Sequence, residues 1–331
     1  MNIQFSDYVK KINKDFLERT LIDIACIKSG MLSRNHIKEK LDFLNFKKLS
    51  NGIPILIPFI PEIIESNDYF HIEYPEYSKM IFGENSQDYI GAKLSFKTNK
   101  FVSDFKIKSK FKNILNEYVK EILDTKLQIS LLKDKYNHIG AFQTRNIPHF
   151  GHEKIIEMML NYCDLVVINP IIGPKKLGDV KTEKLKIIYE SILKPRFNNR
   201  ICYIPIRANM FYAGPREAIH HSFIREWLGF SHFSVGRDHA GSDGFYSPEA
   251  AKQILKRFQS NFNIKILHHN GAYFCEKCKK TVLKGTCNHN VRLLQEISGS
   301  ELRSCLKNKK TYKYASKNIQ NWAAKNFLKL F

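Results

Sequence analysis

From His138 onward, short apolar runs alternate with helical stretches, and this alternation limits the fold more than any other feature of the chain. His138-Ile139-Gly140-Ala141-Phe142 reads as a short buried strand. A polar loop follows. The segment from about His152 to Tyr162 then places Ile155, Ile156, Met159 and Leu160 on one side of a helix. Leu165 to Asn169 reads as a second strand, Thr182 to Leu193 as a helix, and Ile201 to Ile204 as a third strand. Pro215 stands where a helix begins and Gly229 where it stops. Phe233-Ser234-Val235 is another strand, and Pro248 opens another helix. Strands alternating with helices imply βαβ units and an α/β fold with a doubly wound, Rossmann-like parallel sheet. Such sheets bind ligands beyond the carboxyl ends of their strands. Two polar loops lie at such ends, Gln143 to Gly151 and Gly236 to Tyr246.

Upstream, to about Tyr136, the pattern is less regular. Asn51-Gly52 followed by Ile53 to Pro58 reads as a turn entering a strand, Tyr89 to Phe96 as a strand, and Lys112 to Leu131 as a helix. The expectation is a mostly β N-terminal domain over residues 1–136, a catalytic domain over 137–296 and a small helical C-terminal segment over 297–331. No run of about 18 apolar residues is present, so no transmembrane helix and no membrane partner is expected. Met1 to Asp15 lacks the apolar centre of a signal peptide, which points to the cytoplasm. The net charge of +21 invites a nucleic-acid reading. The lysines are scattered through the whole chain rather than gathered on one segment, which disfavours it. A positive field also draws in phosphate and sulfate.

The first polar loop, Gln143-Thr144-Arg145-Asn146-Ile147-Pro148-His149-Phe150-Gly151-His152, joins a strand to a helix. A helix N-terminus offers free N–H groups and the positive end of a dipole, which suits phosphate. His149 and His152 are three apart, so both imidazoles can face one ligand, and Gly151 permits a close approach of the backbone. Gln143 and Arg145 alternate as on an extended segment and can enter one pocket.

His-x-x-His after a first strand resembles the signature of the nucleotidylyltransferase superfamily. The longer run from Gln143 to Glu153 resembles that of the ATP sulfurylase family. Gly236-Arg237-Asp238-His239-Ala240-Gly241 matches a second signature of that family residue for residue, and Tyr212-Ala213-Gly214-Pro215-Arg216-Glu217-Ala218 matches a third. Asn169 to Asp179, with Lys175 and Lys176, resembles the family's lysine-bearing loop, and Ile297 to Ser300 with Arg303 a later segment. The resemblance runs from about Ile139 to Leu306. It implies a PUA-like N-terminal domain and a sulfate adenylyltransferase that moves AMP from ATP to sulfate, releasing pyrophosphate. The acceptor sulfate would lie on Gln143, Arg145, Arg237 and the backbone N–H of Ala240. The nucleotide would lie on Gln143, Asn146, His149, His152, Gly236, Asp238 and His239. Arg145, Asn146, His149, His152 and Arg237 would carry catalysis, with Mg²⁺ accompanying the nucleotide. Two guanidinium forks, an amide and an N–H suit a tetrahedral dianion.

This chain departs from the family in three places. Ile147 stands where proline is usual, Phe211 where an arginine is usual, and Ser242 to Ser247 differs from the family's run. The last difference leaves open a related nucleotidylyltransferase that uses another nucleotide or another small oxyanion. A homo-oligomer is compatible with the sequence.

Cys275-Glu276-Lys277-Cys278 followed by Cys287-Asn288-His289 supplies three thiolates and an imidazole, the donor set of a tetrahedral structural Zn²⁺ site; three buried free cysteines are the alternative. Some ATP sulfurylases carry a comparable zinc, as the resemblance implies.

Overall fold

Four-residue strands that are apolar at every position cannot leave one face to water, and Ile139–Phe142 and Leu165–Ile168 are of this kind. In a computed structural model that describes residues 5–32, 52–174, 180–237, 239–241 and 244–326, with side chains from Lys14, they form one parallel sheet. Asn51, residues 175–179, Asp238, Ser242 and Asp243, all read from the sequence above, lie outside the described residues.

The sheet comprises β1 (Ile139–Phe142), β2 (Leu165–Ile168), β3 (Ile201–Tyr203), β4 (His232–Val235) and β5 (Lys265–His268). Their order across the sheet is β5-β4-β1-β2-β3, and every pairing is parallel. The chain moves outward from β1 to β3, returns to the other side of β1, and moves outward again. Right-handed crossovers then put the helices on opposite faces. The reversal falls between β1 and β4, whose carboxyl ends carry the two polar loops.

The pleat sorts the core into two. Ile139, Ala141, Leu165 and Val167 join the first cluster, while Phe142, Val166 and Ile168 join the second. The first cluster is completed by helices α1 (Phe5–Lys28), α2 (Tyr74–Phe82), α3 (Ile90–Ser95), α4 (Lys112–Lys133), α7 (Pro215–Leu228) and α8 (Ala250–Arg257). The second is completed by α5 (Phe150–Met159), α6 (Thr182–Ile187), α9 (Gly299–Lys307) and α10 (Lys317–Lys325). After β5, an antiparallel sheet of β6 (Ala272–Cys275), β7 (Lys280–Leu283) and β8 (Leu294–Glu296) precedes α9.

Among its described residues, the N-terminal region is not mostly β. Its strands are two or three residues long, while α1 and α4 have 24 and 22 residues. Residues 89–96 hold the helix α3 instead of a strand, because a short apolar run carries no decisive period. Of the run that begins at Ile53, only Ile57–Pro58 pairs, at a sheet edge where proline's missing N–H is tolerated. The helix expected to continue to Leu193 leaves α geometry at Ile188 for a π turn and then a 3₁₀ turn containing Pro195.

One clamp fixes the carboxyl edge of the sheet. Arg225, on α7, is fully buried. Its Nε donates to Asn169 Oδ1 at 3.0 Å and its Nη2 to the Asn169 carbonyl at 2.9 Å. Asn169, just past β2, donates from Nδ2 to the Ile204 carbonyl at 2.6 Å and from its backbone N–H to the Phe142 carbonyl at 2.9 Å. The ends of β1, β2 and β3 are thereby tied to one helix. Burial pulls the Arg225 guanidinium down to about 9, opposed by the nearby Glu217 carboxylate. Arg225→Met should cost about 3 kcal/mol, because it leaves a buried amide oxygen and carbonyl without their donor. Denaturant unfolding checks this; a midpoint equal to that of the unsubstituted protein would show that the clamp contributes nothing.

Candidate active site

A cavity of about 220 Å³ opens between the carboxyl ends of β1 and β4. Gln143, Thr144, Arg145 and Asn146 line it from the loop after β1, and His152 from α5. Gly236, Arg237, His239 and Ala240 line it from the loop after β4, and His269 from the end of β5. The two sequence motifs therefore meet where the strand order reverses. Asp238 lies outside the described residues.

Helix α5 starts at Phe150 because His149 is its N-cap, in extended geometry. The His149 carbonyl accepts from the backbone N–H of His152 at 2.9 Å, and the His149 N–H donates to His152 Nδ1 at 3.3 Å. The two rings lie 3.9 Å apart between centroids. A Cβ on Gly151 would sit 3.0 Å from the His149 ring, so glycine serves here to seat an imidazole. His149 is absent from the cavity lining and backs His152 from behind. Since His152 Nδ1 accepts, its proton resides on Nε2. Burial holds His152 well below its usual range, reinforced to a lesser extent by His149 and His269, and burial brings His149 down to about 4. Both rings are neutral at neutral pH, and His152 presents one N–H.

Arg145 lies with its guanidinium 5.3 Å from the centre of the Tyr212 ring. Gln143 donates to Met210 Sδ at 3.5 Å, while its Oε1 is buried without a hydrogen-bond partner among the described residues. Asn146 Oδ1 accepts from Arg303 Nη1 at 2.7 Å, which brings α9 to the first loop. Arg237 pairs with Glu296 at the end of β8. Ala240 and Tyr212 both adopt left-handed backbone, with φ of 55° and 60°. The Ala240 carbonyl accepts from the Gly214 N–H at 3.3 Å, which links the second and third motifs. Strained residues of this kind cluster at functional sites.

Two further features were not legible in the motifs. His269 follows β5, a strand that went unread, and its ring lies against Gly236: a Cβ there would sit 2.6 Å from His269 Cε1. Phe245 and Tyr246, from the segment that departs from the family pattern, pack on Tyr89, with ring centroids 4.3 and 5.6 Å away, and are not among the cavity lining.

Away from the cavity, Cys275, Cys278, Cys287 and His289 converge, with all four donor atoms within 4.8 Å of one another. Sγ to Sγ distances are 3.5 and 3.6 Å, and Sγ to His289 Nδ1 distances 3.1 to 3.4 Å. Metal–sulfur bonds of ~2.3 Å in a tetrahedron give edges of roughly 3.7 Å, so the group fits a tetrahedral ion. The Cys278 N–H, at 3.4 Å, is the main cause that lowers the Cys275 thiol to about 6.

A family model described as ATP-sulfurylase matches residues 124–314. Among curated relatives, the sulfate adenylyltransferase of Pyrococcus abyssi is 30% identical over 303 residues, covering 84% of this chain and 78% of that protein. The enzyme of the same description from Aeropyrum pernix is 31% identical over 260 residues, covering 77% and 65%. That from Staphylothermus marinus is 40% identical over 174 residues, covering 52% and 45%.

The contact between Gly236 and His269 predicts a coupled pair. Gly236→Ala should displace the His269 ring and lower turnover by about tenfold or more, while Gly236→Ala with His269→Ala should recover part of the loss. Steady-state rates of the single and double variants check this; strictly additive losses would mean that the ring imposes no constraint on the glycine.

Proposed function

The chain belongs to the ATP sulfurylase family, and from that premise we propose that it transfers AMP from ATP to sulfate in the cavity between β1 and β4. The observation that carries this reading is the convergence of Gln143, Arg145, Arg237, Ala240 and His152 on one cavity beside a helix N-terminus. Sulfate lies on Gln143, Arg145, Arg237 and the Ala240 N–H. A sulfate oxygen attacks the α-phosphorus in line, and the bond to the leaving pyrophosphate breaks. Sulfate is already deprotonated, so no general base is required. Catalysis is positioning plus stabilisation of developing charge.

The phosphates lie on Asn146 and on the Nε2–H of His152, with His149 holding that ring in its tautomer. Gly236, Asp238 and His239 border the nucleotide. Mg²⁺ accompanying ATP would supply neutralisation of charge on the phosphates. Residues 137–296 form the catalytic unit, and the 297–331 segment braces its first loop through Arg303. Zn²⁺ is the ion for Cys275, Cys278, Cys287 and His289. With all four donors supplied by protein, its role is to order the β6–β7 hairpin.

Arg237→Lys should lower kcat by about 10²-fold in a folded protein, because a point charge cannot replace a planar fork. His152→Ala should depress kcat more than it raises the KM for sulfate. Both are read by pyrophosphate release with each nucleotide, with and without sulfate. Release that does not depend on sulfate, or that prefers another nucleotide, would replace this reading. For the metal, elemental analysis should find zinc in stoichiometric amount, and Cys278→Ser should lower the melting temperature before it lowers activity. A metal-free protein of unchanged stability would return these cysteines to ordinary thiols.

A further inference from the structure

Behind the cavity, three ionisable side chains run inward in single file. His239, which lines the cavity, places Nε2 3.1 Å from His221 Nδ1. His221 Nε2 lies 3.2 Å from Glu217 Oε1, within ion-pair reach but not aligned as a hydrogen bond, and both of these side chains are completely buried. Glu217 accepts from the Phe211 N–H at Oε1, at 2.8 Å, and from the Ala213 N–H at Oε2, at 2.9 Å. Glu217 and His221 are i,i+4 on α7, and neither lines the cavity.

A buried carboxylate costs several kcal/mol unless something uses it. Burial raises Glu217 above the ordinary carboxylate range; the two backbone donors, one on each oxygen, and the imidazoles of His220 and His239 oppose that and favour the ionised form. With Glu217 ionised, the His221 proton belongs on Nε2. His221 Nδ1 is then an acceptor, and His239 must donate to it from Nε2. The basic nitrogen left on His239 is Nδ1, on a ring at the cavity wall. This carboxylate–imidazole–imidazole order has the logic by which a buried acid orients an imidazole and stabilises its cation.

Among the described residues, the charges around His239 come from four elements. Helix α7 brings His221, Glu217 and Arg225, the end of β5 brings His269, its own loop brings Arg237, and the loop after β1 brings Arg145. In the empty cavity burial dominates and keeps His239 well below its ordinary range. His221, Arg225 and His269 reinforce that, and Glu217 opposes it. A sulfate dianion beside a triphosphate reverses the sign of the field on the cavity side.

We propose that Glu217 and His221 are positioning residues that let His239 take up a proton at Nδ1 when the anionic substrates enter, the positive charge being balanced through His221 by Glu217. The proton comes from bulk water and returns to it when products leave; no covalent bond other than N–H forms or breaks. The proposal rests on the cavity being the nucleotide and sulfate site.

Calorimetric titration of the full chain with adenosine 5′-phosphosulfate, which cannot react without pyrophosphate, tests it. Runs at about pH 8 in two buffers of different ionisation heat count the protons bound, and wild type should take up about one. Glu217→Gln and His221→Asn should lose that uptake while still binding; the asparagine amide can replace Nδ1 toward His239 but cannot reach Glu217. In turnover, kcat should fall as pH rises through the bound-state pKa of His239. Glu217→Gln should move that fall to lower pH by about one unit or more. Wild type that binds without uptake, or a folded variant with undiminished uptake, overturns the relay. Should Glu217→Gln fail to fold, His221→Asn and the wild-type count decide. Absence of any binding refutes instead the reading of the cavity on which the relay rests.

Discussion

The guanidinium of Arg225 and the amide of Asn169 hold together what the rest of the molecule uses. Taking a charged fork wholly out of water is expensive, and it is tolerated here because Asn169 accepts from it twice. The same asparagine bonds the ends of the neighbouring strands on both sides. The carboxyl edge of the sheet is thus pinned just beside the reversal of strand order. Both polar loops spring from that edge, the separation of their roots being set by the direct parallel pairing of β1 with β4.

Helix α7 serves this edge along its whole inner face. Glu217, His221 and Arg225 recur every four residues and lie on one buried stripe. Its first turn receives the N–H groups of the strained Phe211 to Ala213 stretch, its middle meets His239, and its end clamps Asn169. A helix normally turns an apolar stripe inward. Here the stripe is polar, and each member has a partner in a different part of the site. The cavity itself combines permanently charged arginines with imidazoles that burial keeps neutral, so its charge can respond to what enters.

The parallel sheet was legible because its first three strands are short, wholly apolar runs between clear helical stretches and the fourth, around Phe233 to Val235, continues the alternation. The cavity residues were legible because their chemistry lies in three contiguous motifs. The N-terminal region was misread for a physical reason. In α1 the buried face mixes Leu21, Ile22, Ala25 and Cys26 with Arg19 and Asp23. Arg19 donates to the Met210 and Pro174 carbonyls, and Asp23 accepts from Asn209. Buried polar anchors interrupt the apolar period that marks a helix. β5 escaped notice because its residues are exposed or only partly buried and it runs from a lysine into His268 and then His269. The relay on α7 escaped because Glu-x-x-x-His is ordinary on any solvated helix, and only burial distinguishes it.

The first loop depends on chain that comes much later. Arg303 holds Asn146 across 157 residues, and the Phe150 N–H at the start of α5 bonds the Tyr314 carbonyl. During synthesis the sheet can therefore close well before its phosphate-facing loop is anchored. A nascent chain stalled before α9 would carry nearly all the residues of the site and lack the latch that sets them. Assembly of the site in this sense waits on segments that come after every residue lining the cavity.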